Sequence, residues 1–170
     1  PTGGFNQAAR DLADTWQALQ INQVYRTGWG VHTKDLFKVA GSLLHQGICR
    51  GAPLALLDNS PLREFLSEVI PFGNLQKRID VGELKAVCVT ALGYSSGEPG
   101  SFGQGQPDSR GWRRARRVGT PSQLTVDHLL ASSAIPAVFP AVPLSKEFFG
   151  DGAMRQLAPV SPALHLGASR

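Results

Sequence analysis

Three groups of residues in this chain could do chemistry. The first is a lone carboxylate, Asp151, between Gly150 and Gly152. Glycine on either side lets the backbone turn sharply and present one carboxylate at a strand end. A carboxylate held there can take a proton from a serine hydroxyl within hydrogen-bond reach. Alone, Gly-Asp-Gly is an ordinary turn, because aspartate and glycine favour turns for local reasons. The second group, Gly93-Tyr94-Ser95-Ser96-Gly97, fits Gly-x-Ser-x-Gly and follows an apolar run. An α/β-hydrolase would make Ser95 its nucleophile. That elbow needs a helix directly after it, and Glu98-Pro99-Gly100-Ser101-Phe102-Gly103 cannot start one. A triad would also need a later histidine, yet His128 and His165 fall in helical patterns. A serine- and glycine-rich turn is therefore expected.

The third group is basic: Arg110, Arg113, Arg114, Arg116 and Arg117, with Trp112 among them. Its simplest reading is a solvated loop whose charges keep it off the core. A sharper one is peripheral contact with anionic lipid headgroups, with Trp112 suited to the interface. Nucleic acid ranks last, because no RNA- or DNA-binding motif accompanies the cluster. The histidines His32, His45, His128 and His165 and the cysteines Cys49 and Cys88 show no metal-ligand spacing. Cys88 lies in an apolar run and reads as a buried, reduced thiol.

The elements that must position these groups are legible from periodicity. Phe5, Ala8, Ala9, Leu12, Ala13, Trp16 and Leu19 recur at helical spacing, which predicts an amphipathic helix with Trp16 in the core. A second helix is expected over Lys34–Gln46, with Gly47 closing it. A third begins at Ser60-Pro61, serine capping and proline in the first turn, and stops before Pro71. Leu75–Ile79 suggests a short helical turn. Leu84–Leu92 is apolar on both faces, the pattern of a strand covered on both sides by helices. Gly93–Gly119 is glycine-rich and reads as a loop or long hairpin. Thr125 caps a helix through Ala134, which Pro136 and Pro140 end. Phe148-Phe149 leads into Asp151, and Ser161-Pro162 opens a last short helix ending near Gly167. Trp29, between two glycines, is expected in a loop.

Composition fits this picture. The 170 residues are 42% hydrophobic and 18% charged with a net charge of +4, enough apolar material for a core. The chain reads as one α/β domain or a large part of one, spanning residues 1–170. No run approaches the roughly 18–20 apolar residues of a membrane-spanning helix. The first residues do not resemble a signal peptide.

The order of motifs in the last third is more specific than any one of them. Ala131–Ala134 is a small-residue helix end, followed by Ile135-Pro136-Ala137-Val138-Phe139-Pro140. A strand then leads to Asp151-Gly152-Ala153, Pro159 and the small-residue helix Ser161–Gly167. This series resembles the patatin-like phospholipase family. Gly51-Ala52-Pro53-Leu54 and Pro61–Leu66 resemble a segment of its bacterial members. The resemblance implies a three-layer α/β/α fold with a mostly parallel sheet. It implies hydrolysis of a lipid acyl ester, such as a phospholipid, by a serine–aspartate dyad without histidine and without metal or organic cofactor. Asp151 takes the aspartate's place. The family's serine elbow and glycine-rich oxyanion loop lie N-terminal to everything matched, so this chain is expected to begin just after the nucleophile, with the first strands absent. Gly93–Gly97 then corresponds to a turn after a strand. Alternatives are a non-catalytic lipid- or protein-binding remnant and an enzyme using Ser95. An open sheet edge would favour homo-oligomers, and a cytoplasmic or peripheral-membrane location is expected.

Overall fold

A computed structural model of the chain describes residues 2–26, 55–106, 111–114, 117–155 and 160–168. The expected helix over Lys34–Gln46 lies outside these, as do Trp29, Cys49, His32, His45, Gly51–Leu54, Arg110, Arg116 and Pro159.

The fold is α/β. Six strands form one sheet: β1 (Ala86–Gly93), β2 (Pro99–Gly105), β3 (Trp112–Arg114), β4 (Arg117–Pro121), β5 (Val142–Leu144) and β6 (Glu147–Asp151). They lie in the order β3-β4-β2-β1-β6-β5. Only β2 and β4 run parallel; every other neighbouring pair is antiparallel. The expectation of a mostly parallel sheet is corrected here, and chain connectivity gives the reason. The links β1–β2, β3–β4 and β5–β6 are hairpins of a few residues, whereas a parallel link needs a crossover of about a dozen or more. The stretch 93–119, read as a loop or long hairpin, holds β2, β3 and the start of β4. Its glycines mask the alternation that would have revealed them.

The helices are α1 (Thr2–Ala18), α2 (Ile21–Val24), α3 (Ser60–Val69), α4 (Leu75–Asp80), α5 (Val126–Ser133) and α6 (Ser161–His165). Both serine-proline starts are shifted by one residue. Ser60 and Ser161 are the first helical residues, and Asn59 and Val160 occupy the cap positions. The α3 entry is held by Asp58, whose Oδ1 accepts bonds from the Ser60 N–H (2.9 Å) and hydroxyl (2.6 Å). The Ser60 hydroxyl, and then its N–H, hold the Asp58 carboxyl below its ordinary pKa.

One face of the sheet carries the core. Ala91, Phe102, Val142, Leu144 and Phe149 pack with Leu124 and with Leu130 and Ala131 of α5. Leu62, Leu66, Phe72 and Leu75 close over them. Phe102 meets both Phe149 and His128 edge-on, at centroid distances of 5.2 and 4.9 Å. The opposite face is different: Cys88, Thr90, Ser101 and Gly103 lie there, and Leu166 seals Gly103. Residues Ala86–Thr90 of β1 are consequently only half-buried, not enclosed on both sides as their apolar run suggested.

The first helix forms as its spacing predicts, but Trp16 is not in the core. Trp16 is 67% exposed and Leu12 59% exposed. Spacing creates an apolar face without supplying the surface that covers it, and none of the described residues does so.

Candidate active site

Asp151 is the last residue of β6, opposite Ala91 of β1, with Gly150 opposite Leu92. Its N–H donates to the Ala134 carbonyl at 2.9 Å, which fastens the strand end to the residue following α5. Its Oδ1 accepts the Ala153 N–H at 2.9 Å, closing a local turn that fixes the carboxylate. No bond to Oδ2 occurs among the described residues, so one carboxylate oxygen keeps its lone pairs for another partner.

The flanking glycines are steric requirements of this loop. A Cβ on Gly152 would lie 2.3 Å from the Thr90 carbonyl oxygen. A Cβ on Gly150 would lie 2.1 Å from the Tyr94 hydroxyl, whose ring covers that position. Burial, and then the charge of Asp151, push the Tyr94 phenol above its ordinary pKa, so it stays a protonated donor close to the aspartate.

Preceding this loop, Ile135–Pro140 forms a compact turn in which the Ile135 carbonyl accepts from Val138 (3.1 Å) and Phe139 (2.9 Å). Ala137 sits there at φ 65°, a left-handed conformation unusual for a residue with a Cβ. The Leu56 and Leu57 N–H groups donate to the carbonyls of Ala137 and Val138. The turn is thereby braced against the chain that enters α3.

Ser95 occupies a β-hairpin turn between β1 and β2, and no helix follows it. Glu147 clamps this turn: its Oε2 accepts the Ser95 and Ser96 N–H groups at 3.0 and 2.9 Å, and its Oε1 accepts the Ser96 hydroxyl at 3.0 Å. Arg155, just beyond the aspartate loop, donates from Nη1 to the Gly97 carbonyl at 3.0 Å. The turn that mimicked a nucleophile elbow is thus a brace for the aspartate loop. Sequence reasoning missed Glu147, Arg155 and the packing role of Tyr94. Glu147 lies 52 residues from Ser95, and no local pattern announces so distant a contact.

The basic group resolves into unlike parts. Trp112 stacks on His165, with ring centroids 4.2 Å apart and planes at 23°. It also fills the space over Gly119, where a Cβ would lie 2.1 Å from the indole Nε1. Arg113 remains 76% exposed, with Nη2 3.4 Å from Glu98 Oε2. Arg114 and Arg117 form the last residue pair of the β3–β4 hairpin.

His128 is buried on α5, where its Nδ1 accepts the Thr125 N–H at 3.1 Å, a task usually done by glutamate at this helix position. Burial pulls its pKa below the ordinary value against the opposing charge of Asp127. The Cys88 thiol is pushed up by burial, opposed by Ser101 and Thr90. Among the described residues, no cluster of histidine, cysteine and carboxylate could hold a metal ion.

A scan against family models matches residues 5–164 to the patatin-like phospholipase family. The chain belongs to this family. Comparison with curated proteins and with solved structures gave no match. Patatin-like proteins are generally lipid acyl hydrolases acting on lipid esters. The match runs from α1 into α6, so it takes in the helix with the exposed apolar face as well as the aspartate loop.

Proposed function

We propose that Asp151 is the general base of a serine acyl hydrolase, taking the proton of a serine as that serine attacks a lipid ester. The observation that carries this reading is the presentation of Asp151. It stands at a strand end, fixed through Oδ1, with Oδ2 unbonded among the described residues, in a loop where Gly152 has no room for a Cβ. A base must lie within hydrogen-bond reach of the proton it takes. The serine and the oxyanion donors belong to sequence outside these residues, on a strand beside β1. A gap in the sheet supports that position. β6 pairs with β1 only through Ala91–Gly93, while β2 pairs along Ala86–Leu92. Along Ala86–Val89, one edge of β1 has no strand beside it among the described residues, and this edge starts next to Asp151. The arginine hairpin is proposed as the lipid-facing contact.

The test is labelling with a fluorophosphonate, read by intact mass, on this chain and on a longer form that carries the proposed serine segment. The longer form is expected to take one adduct and to lose it on Asp151→Asn, while this chain takes none. An adduct on the short chain that disappears with Ser95→Ala would overturn the assignment in favour of Ser95. A folded longer form that stays unlabelled would identify a non-catalytic module.

A further inference from the structure

The strand directions bring together residues that lie far apart in sequence. β1, β3 and β5 run one way and β2, β4 and β6 the other, because β2 and β4 are parallel and all other pairs antiparallel. The β1–β2, β3–β4 and β5–β6 hairpins therefore all have their tips at one end of the sheet. Arg113, Arg114 and Arg117 lie on β3 and β4 at this end, and Lys146 is exposed at the β5–β6 tip. Arg155 reaches the same end by bonding to Gly97 and is itself exposed. The carboxylates within these tips are Glu98, which pairs with Arg113, and Glu147, which is bound by the Ser95–Ser96 turn. Among the described residues cations outnumber carboxylates there, and they come from the β3–β4 hairpin, the β5–β6 hairpin and Arg155 beyond β6 rather than from one arginine run.

The aromatic residue that would insert into a bilayer is withheld from this end. Trp112 is stacked on His165 and wedged over Gly119. Asp151, by contrast, is at most ~14 Å of strand away from Glu147 at the tip, at about 3.4 Å per residue. We propose that the three-hairpin end is a docking surface for an anionic phospholipid bilayer. It binds by charge alone, without tryptophan insertion, and holds the aspartate loop close to the lipid surface. This goes beyond the hydrolase reading, since docking needs neither the serine nor Asp151.

The test is co-sedimentation of the chain with vesicles of phosphatidylcholine alone and with 30% phosphatidylserine. Binding is expected only with phosphatidylserine and is expected to fade as salt rises and screens the contact. The variant Arg113→Gln/Arg114→Gln/Arg117→Gln should weaken it by about fivefold per arginine removed. Lys146→Gln, on an exposed turn of a different hairpin, should weaken it by a similar single step. Trp112→Phe should leave it unchanged. Equal binding to neutral vesicles, loss of binding with Trp112→Phe, or full binding by Lys146→Gln would each overturn the proposal. So would tighter binding to a DNA duplex than to the anionic vesicles.

Discussion

Helices α1 and α5 are both amphipathic and both evident from residue spacing, yet they end in opposite circumstances. In α5, Leu130 is 1% and Ala131 0% exposed, and the residue after it, Ala134, holds the N–H of Asp151. In α1, Leu12 and Trp16 stand in solvent. An apolar stripe specifies a helix and a face; the sheet opposite decides whether burial follows. The site is built where the sheet exists, and stability should be concentrated there.

The contrast can be broken most directly at Leu130. Leu130→Ala is expected to cost about 3 kcal/mol in urea unfolding, from lost transfer energy plus the cavity left under the sheet. A cost below about 1 kcal/mol would mean that α5 packs no better than α1.

Gly152→Ala comes next, at about 2 kcal/mol, because the new Cβ would meet a backbone oxygen that cannot swing aside. Gly150→Ala should cost less, although its nominal clash is closer, because the Tyr94 side chain can rotate away. The reverse order would show that Tyr94, rather than the β1 backbone, fixes the loop. In the opposite direction, Ala137→Gly should stabilise by about 1 kcal/mol, relieving the left-handed alanine between α5 and the aspartate strand.

A smaller effect is expected from pH. His128 has a folded-state pKa below its ordinary 6.5, so the folded chain favours the neutral ring. Its burial carries no penalty above that pH. As pH falls below 6.5 the unfolded chain takes up the proton first, and stability declines. The Asp58 contribution, whose folded pKa is depressed, is lost only as pH falls below 3.8 and so does not overlap. Unfolding midpoints at pH 7.5 and pH 5 should differ in the native chain and converge in His128→Gln.

Legibility in the sequence followed how local each cause was. The starts of α3, α5 and α6, the strand β1 and the strand leading to Asp151 rest on neighbours within a few residues, and each forms within one or two residues of its expected place. Sheet direction does not. Phe102 and Gln104 alternate with glycines in β2, so no periodic signal marked that strand or its hairpin with β1. Asp151 was visible because Ile135–Pro140, Asp151–Ala153 and Ser161–Gly167 follow one another in the order of the family's motifs; its two glycines alone would read as an ordinary turn. Its supports, Glu147, Arg155 and Tyr94, were not, because their partners come from other hairpins and no residue type at a fixed spacing encodes them.

The smallest expected effect completes the comparison. Trp16→Ser should change the stability of this chain by less than about 0.5 kcal/mol, the range of substitutions that lose no buried contact. The measurement is urea unfolding at two protein concentrations tenfold apart. Equal midpoints with a negligible difference from the native chain would show a bare helix face. A midpoint that rises with concentration in the native chain, and does so less in Trp16→Ser, would show that a second copy covers Leu12 and Trp16. In that case the two helices differ only in where their partner surface comes from: α5 finds it in its own sheet and α1 in another molecule.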